Sequence, residues 1–68
     1  MDLEEQLKKM VKDTGAVNST YGGFEIRVSK PTLFPWYKIF NRLIDIDQEV
    51  WVNKMEGKIN ITSKPRVP

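Results

Sequence analysis

The sequence predicts a small α+β domain with the element order helix, strand, strand, helix, strand, strand. Residues 2–14 and 32–45 place apolar side chains every three or four positions, which is the period of an amphipathic helix. Residues 16–29 and 49–63 alternate apolar and polar side chains around glycine-containing turns, which is typical of β-hairpins. Because an amphipathic helix must bury its apolar face, we expect a four-stranded antiparallel sheet with both helices on one face.

The first helix is predicted from one apolar face and from the order of its charges. Its apolar face is formed by Leu3, Leu7, Met10 and Val11. Asp2 is expected to cap the N-terminus, and Gly15 is expected to end the helix. Acidic residues come early in this segment and lysines come late, which is the order that the helix dipole favours.

The first hairpin is predicted to turn at Gly22-Gly23, because glycine tolerates the positive φ angles of tight turns. After this turn, apolar residues alternate with Glu25, Arg27 and Ser29. A two-residue loop at this point predicts the cross-strand pairs Tyr21–Phe24, Ser19–Ile26 and Val17–Val28. All six side chains would then lie on one face of the sheet.

The second half of the chain repeats this order of elements. Thr32 is the expected cap of the second helix, and Pro35 is tolerated only in its first turn. The apolar stripe of this helix consists of Trp36, Ile39, Phe40 and Leu43. The second hairpin is predicted to turn at Glu56-Gly57, which pairs Val50 with Ser63, Trp51 with Thr62 and Val52 with Ile61. We therefore expect one domain over residues 1–63 and an extended tail over residues 64–68.

Composition limits the chemistry that this chain can perform. The chain has 68 residues, no histidine, no cysteine and a formal net charge of +2. Nucleophile pairs that need histidine, and metal sites that need thiolate or imidazole, are therefore excluded. We expect a protein that is not an enzyme and that uses no cofactor and no metal. Since a core of this size stabilises a fold only weakly, a homodimer or stabilisation by a partner is also expected.

The location expected from the sequence is the cytoplasm. The chain opens with acidic residues, Asp2, Glu4 and Glu5, which are unlike the basic start of a secretion signal. The longest apolar run, residues 33–37, is interrupted by a proline and is far too short to cross a bilayer. No membrane association is expected.

The first functional hypothesis is a protein-interaction module of the inhibitor or adaptor type. Four bulky residues in a row, at positions 34–37, cannot all face one core. Aromatic residues and arginine are enriched at the hot spots of protein interfaces. The predicted partner-binding residues are Phe34, Trp36, Tyr37, Lys38 and Arg42. The competing interpretation is that Phe34 and Tyr37 close the ends of the core.

The second hypothesis is a nucleic-acid-binding module that uses the sheet face opposite the helices. An aromatic ring among cations on an open sheet is a common way to hold single strands. The predicted nucleic-acid-binding residues are Arg27, Trp51, Lys58, Lys64 and Arg66. The competing interpretation is that Trp51 packs under the tail or a second subunit, and that the lysines are ordinary solubilising surface.

An acidic stretch follows the second predicted helix. If this stretch is extended, it places Asp45, Asp47 and Glu49 on one face, at a spacing that suits a hard cation. The competing interpretation is a solvated, charged connection. We do not expect a metal site there, because the stretch lacks the glycine and the distal glutamate of a calcium loop.

Overall fold

The computed structural model describes residues 2–20 and 22–66, and it has the predicted element order. The elements are α1 (Leu3–Val11), a 3₁₀ turn (Lys12–Thr14), β1 (Gly15–Ser19), β2 (Phe24–Val28), α2 (Trp36–Asp45), β3 (Gln48–Met55) and β4 (Lys58–Pro65). The strands form one antiparallel sheet with the spatial order β1-β2-β4-β3. The predicted α+β fold is confirmed.

The core lies between the two helices and one face of the sheet. Helix α1 packs mainly on β1, and α2 packs mainly on β3. Alternate residues of each strand point to this face, as the pleat requires. The fully buried apolar side chains come from both layers and are Leu7, Val11, Ile26, Ile39, Leu43 and Ile61.

Helix α1 ends earlier than the sequence predicts. Asp2 caps it as expected, and its Oδ1 atom accepts a hydrogen bond from the Glu4 N–H at 3.4 Å. The helix stops at Val11, and Lys12 follows with a φ of 55°. Gly15 does not end the helix but starts β1 in an extended conformation. A glycine is needed there because an added Cβ would lie 2.4 Å from the Arg27 carbonyl oxygen.

The predicted register of the first hairpin is wrong by two residues. Thr20 and Gly23 exchange backbone hydrogen bonds of 2.9 and 3.4 Å. The turn therefore lies one position earlier than Gly22-Gly23, and Gly22 supplies the positive φ of 75°. The observed pairs are Ser19–Phe24, Val17–Ile26 and Gly15–Val28. A shift of two residues keeps every side chain on its face, so the apolar pattern could not distinguish the registers. The predicted position of Tyr21 lies outside the described residues.

Gly23 occupies its position for a different reason from that of Gly22. An added Cβ at Gly23 would lie 1.9 Å from the carbonyl oxygen of Ser63. The hydroxyl of Ser63, a buried residue, accepts a hydrogen bond from the Phe24 N–H at 3.1 Å. Close backbone approach between β2 and β4 therefore requires glycine at this point.

Helix α2 begins at Trp36 rather than at position 32. The ring of Pro35 disfavours a helical conformation for the residue before it, which is Phe34. The preceding residues form a turn in which the Lys30 carbonyl accepts the N–H groups of Leu33 and Phe34. The predicted cap, Thr32, lies within this turn, and Pro35 occupies the capping position instead.

The second hairpin has the predicted turn and register. Val50 pairs with Ser63, Trp51 with Thr62 and Val52 with Ile61. Strand β4 continues to Pro65, so the sheet includes Lys64 and Pro65, the first two residues of the segment predicted as a tail. The Arg66 N–H then donates to the Asp47 carbonyl at 3.1 Å, and Val67 and Pro68 lie outside the described residues.

Polar contacts attach α1 to β1, and the 3₁₀ turn to the loop that follows β2. The Ser19 hydroxyl donates to the Glu4 carboxylate, and the Lys30 ammonium donates to the Asp13 carboxylate at 2.8 Å. The hydrogen bond from Ser19, aided by Lys8, lowers the pKa of Glu4. The hydrogen bond and charge of Lys30 lower the pKa of Asp13. Both carboxylates therefore favour folding above their unfolded pKa of about 4, and this contribution is lost as the pH falls through the lowered folded pKa.

Replacing Gly23 should cost more stability than replacing a glycine that has free space around it. Gly57 has a φ of 78°, but an added Cβ there would meet no atom within 4 Å. We expect Gly57→Ala to lower the free energy of unfolding by about 1 kcal/mol, through backbone strain alone. Gly23→Ala should cost about 2–4 kcal/mol, because β2 and β4 must separate. Urea unfolding measures both, and an equal or smaller loss for Gly23→Ala would contradict the close approach.

The two lowered pKa values should respond to different substitutions. We expect Ser19→Ala to raise the pKa of Glu4 toward its usual range and leave that of Asp13 unchanged. Lys30→Ala should do the reverse. NMR titration of the side-chain carboxyl carbons measures both values in each variant. A Glu4 pKa that Ser19→Ala leaves where it is would show that the Ser19 contact has no electrostatic effect.

Candidate interaction surface

One face of the sheet is left uncovered by the helices of the described chain. Its residues form rows across the strands, because opposite residues of an antiparallel sheet share a face. One row is Asn18, Glu25, Thr62 and Trp51, and the next is Ala16, Arg27, Asn60 and Asn53. The pairs Met55–Lys58 and Glu49–Lys64 extend this face at either end. We call these residues the open face.

Trp51 is the largest side chain on the open face, and 56% of its surface is exposed. It lines a shallow recess together with Asn53, Thr62 and Lys64. The recess therefore combines an aromatic ring, an amide, a hydroxyl and a cation. Groups of these kinds contact both proteins and nucleic acids.

The open face carries charges of both signs. Its cations are Arg27, Lys58 and Lys64, and its anions are Glu25 and Glu49, so its formal charge is 3 − 2 = +1. The Arg27 Nε atom lies 3.8 Å from a carboxylate oxygen of Glu25. Both side chains are solvent-exposed, so this pair adds little to stability. The face is only weakly basic.

The structure brings together most of the residues predicted to bind nucleic acid. Arg27, Trp51, Lys58 and Lys64 all lie on the open face. Arg66 follows the end of β4, where its guanidinium lies 3.8 Å from the Asp47 carboxylate. At the opposite end of the sheet, Arg27 and Lys58 border a groove of about 620 Å³ that also contains Ser29 and Asn60.

The residues predicted as a protein-binding patch do not form one exposed surface, because some of them are buried. Phe34 is 4% exposed and belongs to the core. Trp36 is half-buried, its ring lies 4.7 Å from that of Phe34, and its indole N–H donates to the Pro31 carbonyl at 2.8 Å. Because this bond satisfies the indole, the ring can pack against the core. The competing interpretation, in which Phe34 and Tyr37 close the ends of the core, matches the position of Phe34 but is wrong for Tyr37, which is exposed.

The other members of that patch differ in exposure. Tyr37 is 78% exposed, and Lys38 beside it is also exposed. Arg42 is half-buried and donates to the Gln6 side-chain oxygen at 2.9 Å, which ties α2 to α1. The outer side of α2 therefore offers Tyr37 and Lys38, while Arg42 connects the helices.

A group of exposed apolar residues lies around β3 and was not predicted from the sequence. Val52 is 53% exposed although it lies on the helix side of the sheet, and Met55 is exposed near the turn. Ile44 of α2 is exposed and lines a recess with Val50 and Trp51. Alternation in the sequence indicated burial of Val52, but α2 does not cover the outer strand fully. In the sequence, only the eight-residue length of this strand could have indicated that part of it is left uncovered by α2.

The acidic residues after α2 do not form the straight row that an extended stretch would give. Asp45 ends the helix, Asp47 lies in the following turn with a φ of 62°, and Glu49 lies on the open face opposite Lys64. The chain reverses between Asp45 and Glu49, which separates the directions of these side chains. Among residues 2–20 and 22–66, no group of three or more acidic side chains is placed to hold a metal ion.

Comparisons with known proteins do not identify a family. No protein-family model, no curated protein and no solved structure matches the chain. Within the part of the chain that the structure describes, no helix is long and apolar enough to cross a membrane.

Proposed function

We propose that this chain is a non-catalytic protein-binding module, of the inhibitor or adaptor type, that contacts its partner through the open face. The observation that carries the proposal is the open face itself, a four-stranded surface with a half-exposed Trp51 and hydrogen-bonding side chains around it. An exposed aromatic anchor within a polar surround is the usual composition of a protein-binding hot spot.

The charge distribution favours a protein over a nucleic acid as the partner. The open face carries charges of both signs: Glu25 stands beside Arg27, and Glu49 lies opposite Lys64. A polyphosphate chain would be repelled by Glu25 and Glu49, whereas a protein surface can supply charges of both signs. The absence of histidine and cysteine from the sequence supports a role in binding rather than catalysis.

A single-stranded nucleic acid is the second candidate partner. The observation that favours it is the shared position of Trp51, Arg27, Lys58 and Lys64 on one face. Bases can stack on an exposed indole while lysine and arginine contact the phosphates. This candidate uses the same surface as the first but requires a different dependence on salt.

Charge reversal on the open face should weaken protein capture more than charge reversal on α2. Arg27 and Lys38 are both exposed cations, so Arg27→Glu and Lys38→Glu change the net charge equally. We expect Arg27→Glu to lower affinity for the captured partner at least about tenfold, equivalent to about 1.4 kcal/mol. Lys38→Glu should change affinity less than about twofold. The measurement is quantitative pull-down from nuclease-treated lysate, followed by titration of the purified partner.

The reverse order of effects would contradict a role for the open face. Loss of capture with Lys38→Glu, and none with Arg27→Glu, would place the interface on the outer side of α2 beside Tyr37. Circular dichroism of both variants controls for unfolding, since each substituted side chain is exposed in the folded domain.

If nucleic acid is the partner, its affinity should depend steeply on salt. Three cations on the open face predict a slope of about −2 in a plot of log affinity against log salt concentration for a single strand. Fluorescence anisotropy with a labelled oligonucleotide measures this slope, and Trp51→Ala should weaken binding more than Lys64→Ala. A protein partner is favoured if no oligonucleotide binds at low salt.

A further inference from the structure

Strand β3 is an exposed edge of the sheet. It has eight residues, compared with five in β1 at the other edge, and it pairs with β4 continuously from Gln48 to Met55. It contains no proline. Long, regular edge strands readily pair with another strand, and most proteins shorten or interrupt them.

Four of the six large apolar side chains that are exposed among the described residues lie on or beside this strand, while Leu33 and Tyr37 lie before and in the first turn of α2. Trp51 lies on the open face of β3, and Val52 lies on its helix side. Ile44, from α2, is exposed beside Val50 and Trp51. Both faces of the edge therefore present apolar surface that a strand added beside β3 would cover.

Charge varies along the same edge in a way that selects the direction of pairing. Around the start of β3, three anions (Asp45, Asp47 and Glu49) outnumber two cations (Lys64 and Arg66), so the formal charge is 2 − 3 = −1. Around its end, Lys54 and Lys58 outnumber Glu56, so the formal charge is 2 − 1 = +1. In an antiparallel pair of identical strands, the acidic end of each copy lies against the basic end of the other. Parallel pairing would place like charges together. Antiparallel self-pairing is therefore the electrostatically complementary arrangement.

We propose that the protein forms a homodimer by antiparallel pairing of β3 with β3 of a second copy. A two-fold axis perpendicular to the sheet relates the copies, so their strands form one eight-stranded sheet with both helix pairs on the same side. The interface is isologous and closes, which limits assembly to two chains. This proposal does not rest on the proposed function, because Arg27 and the other open-face cations lie on β2 and β4.

The apolar pattern selects one register for this pair. Met55 and Lys58 close a two-residue turn, so the even-numbered residues of β3 direct their backbone groups outward. The register that places Trp51 on the two-fold axis pairs Val50 with Val52 of the second copy, and Val52 with Val50. Moving the two-fold axis to Val52 would pair Val50 with Lys54 of the second copy. Moving it to Val50 would pair Val52 with Gln48 of the second copy. Trp51 should therefore lie opposite Trp51 of the second copy.

An interface built on one strand and its flanking side chains is small. We therefore expect a dimer that dissociates at micromolar concentrations, as interfaces at the low end of the size range do. In the dimer, the indole pair lies at the centre of a joined open face that is twice as wide. The charged side chains of both open faces then lie on the same surface of the joined sheet.

Sedimentation equilibrium tests the dimer directly with the full chain. At about 100 μM, a dissociation constant in the micromolar range predicts a mass approaching twice the 7.9 kDa of one chain. Val52→Lys should reduce the mass to that of one chain, because two like charges would meet near the axis. Ala16→Lys places the same charge on β1, the other edge strand, and should leave the dimer intact. A monomeric wild type, or equal behaviour of the two variants, would overturn the proposal.

Disulfide trapping tests the register, since the chain has no cysteine of its own. Under mild oxidation, Trp51→Cys should form a covalent dimer at least about tenfold faster than Asn53→Cys. Opposite residues of a non-hydrogen-bonded pair are close enough for a disulfide, whereas residues offset by four positions are not. Asn53 is a matched control because it is exposed on the same face of the same strand. Equal trapping of both variants would overturn the assigned register.

Discussion

Pairing between β2 and β4 joins the two halves of the chain, and the remaining tertiary contacts are arranged around it. Ile26 and Ile61 lie opposite each other in this pair, and both are fully buried. At one end, Gly23 lies against the Ser63 backbone, and the Ser63 hydroxyl accepts the Phe24 N–H. Each hairpin alone would expose its apolar face, since a two-stranded sheet is marginally stable in water. Once β2 and β4 pair, the helices have a surface wide enough to cover.

The same pairing determines which surfaces remain available for binding. With β2 and β4 in the centre, β1 and β3 become the edges, and α1 and α2 lie over them on one side. The other side stays exposed and carries mostly polar side chains, together with Ala16, Trp51 and Met55. Because α2 packs over β3 without covering Val52, the β3 edge keeps apolar surface on both of its faces.

The two tryptophans of the candidate sites differ in how far their side chains are buried. Trp36 lies between Pro35 and Tyr37, and Trp51 lies between two valines. Trp36 starts a helix, and its N–H donates to the Pro31 carbonyl, so its ring packs toward Phe34 and the core. Trp51 lies on the outward side of a strand and stays half exposed. Helical periodicity had already placed Trp36 on the apolar stripe, but its neighbours in residues 34–37 suggested a surface patch.

Local sequence patterns determined the elements of this protein, the second hairpin's register and the residues of the open face. These features follow from interactions over a few residues, such as the Glu56-Gly57 turn and the two-residue alternation of strands. The sequence alone did not determine the first hairpin's register, since a shift of two residues preserves the apolar face. The start of α2 follows from a local effect, since Pro35 disfavours a helical conformation at Phe34. The sequence alone did not determine the burial of Phe34 or the position of β3 at an edge. Those depend on contacts between residues far apart in the chain, above all on the close approach of Gly23 to Ser63, which only the folded structure brings together.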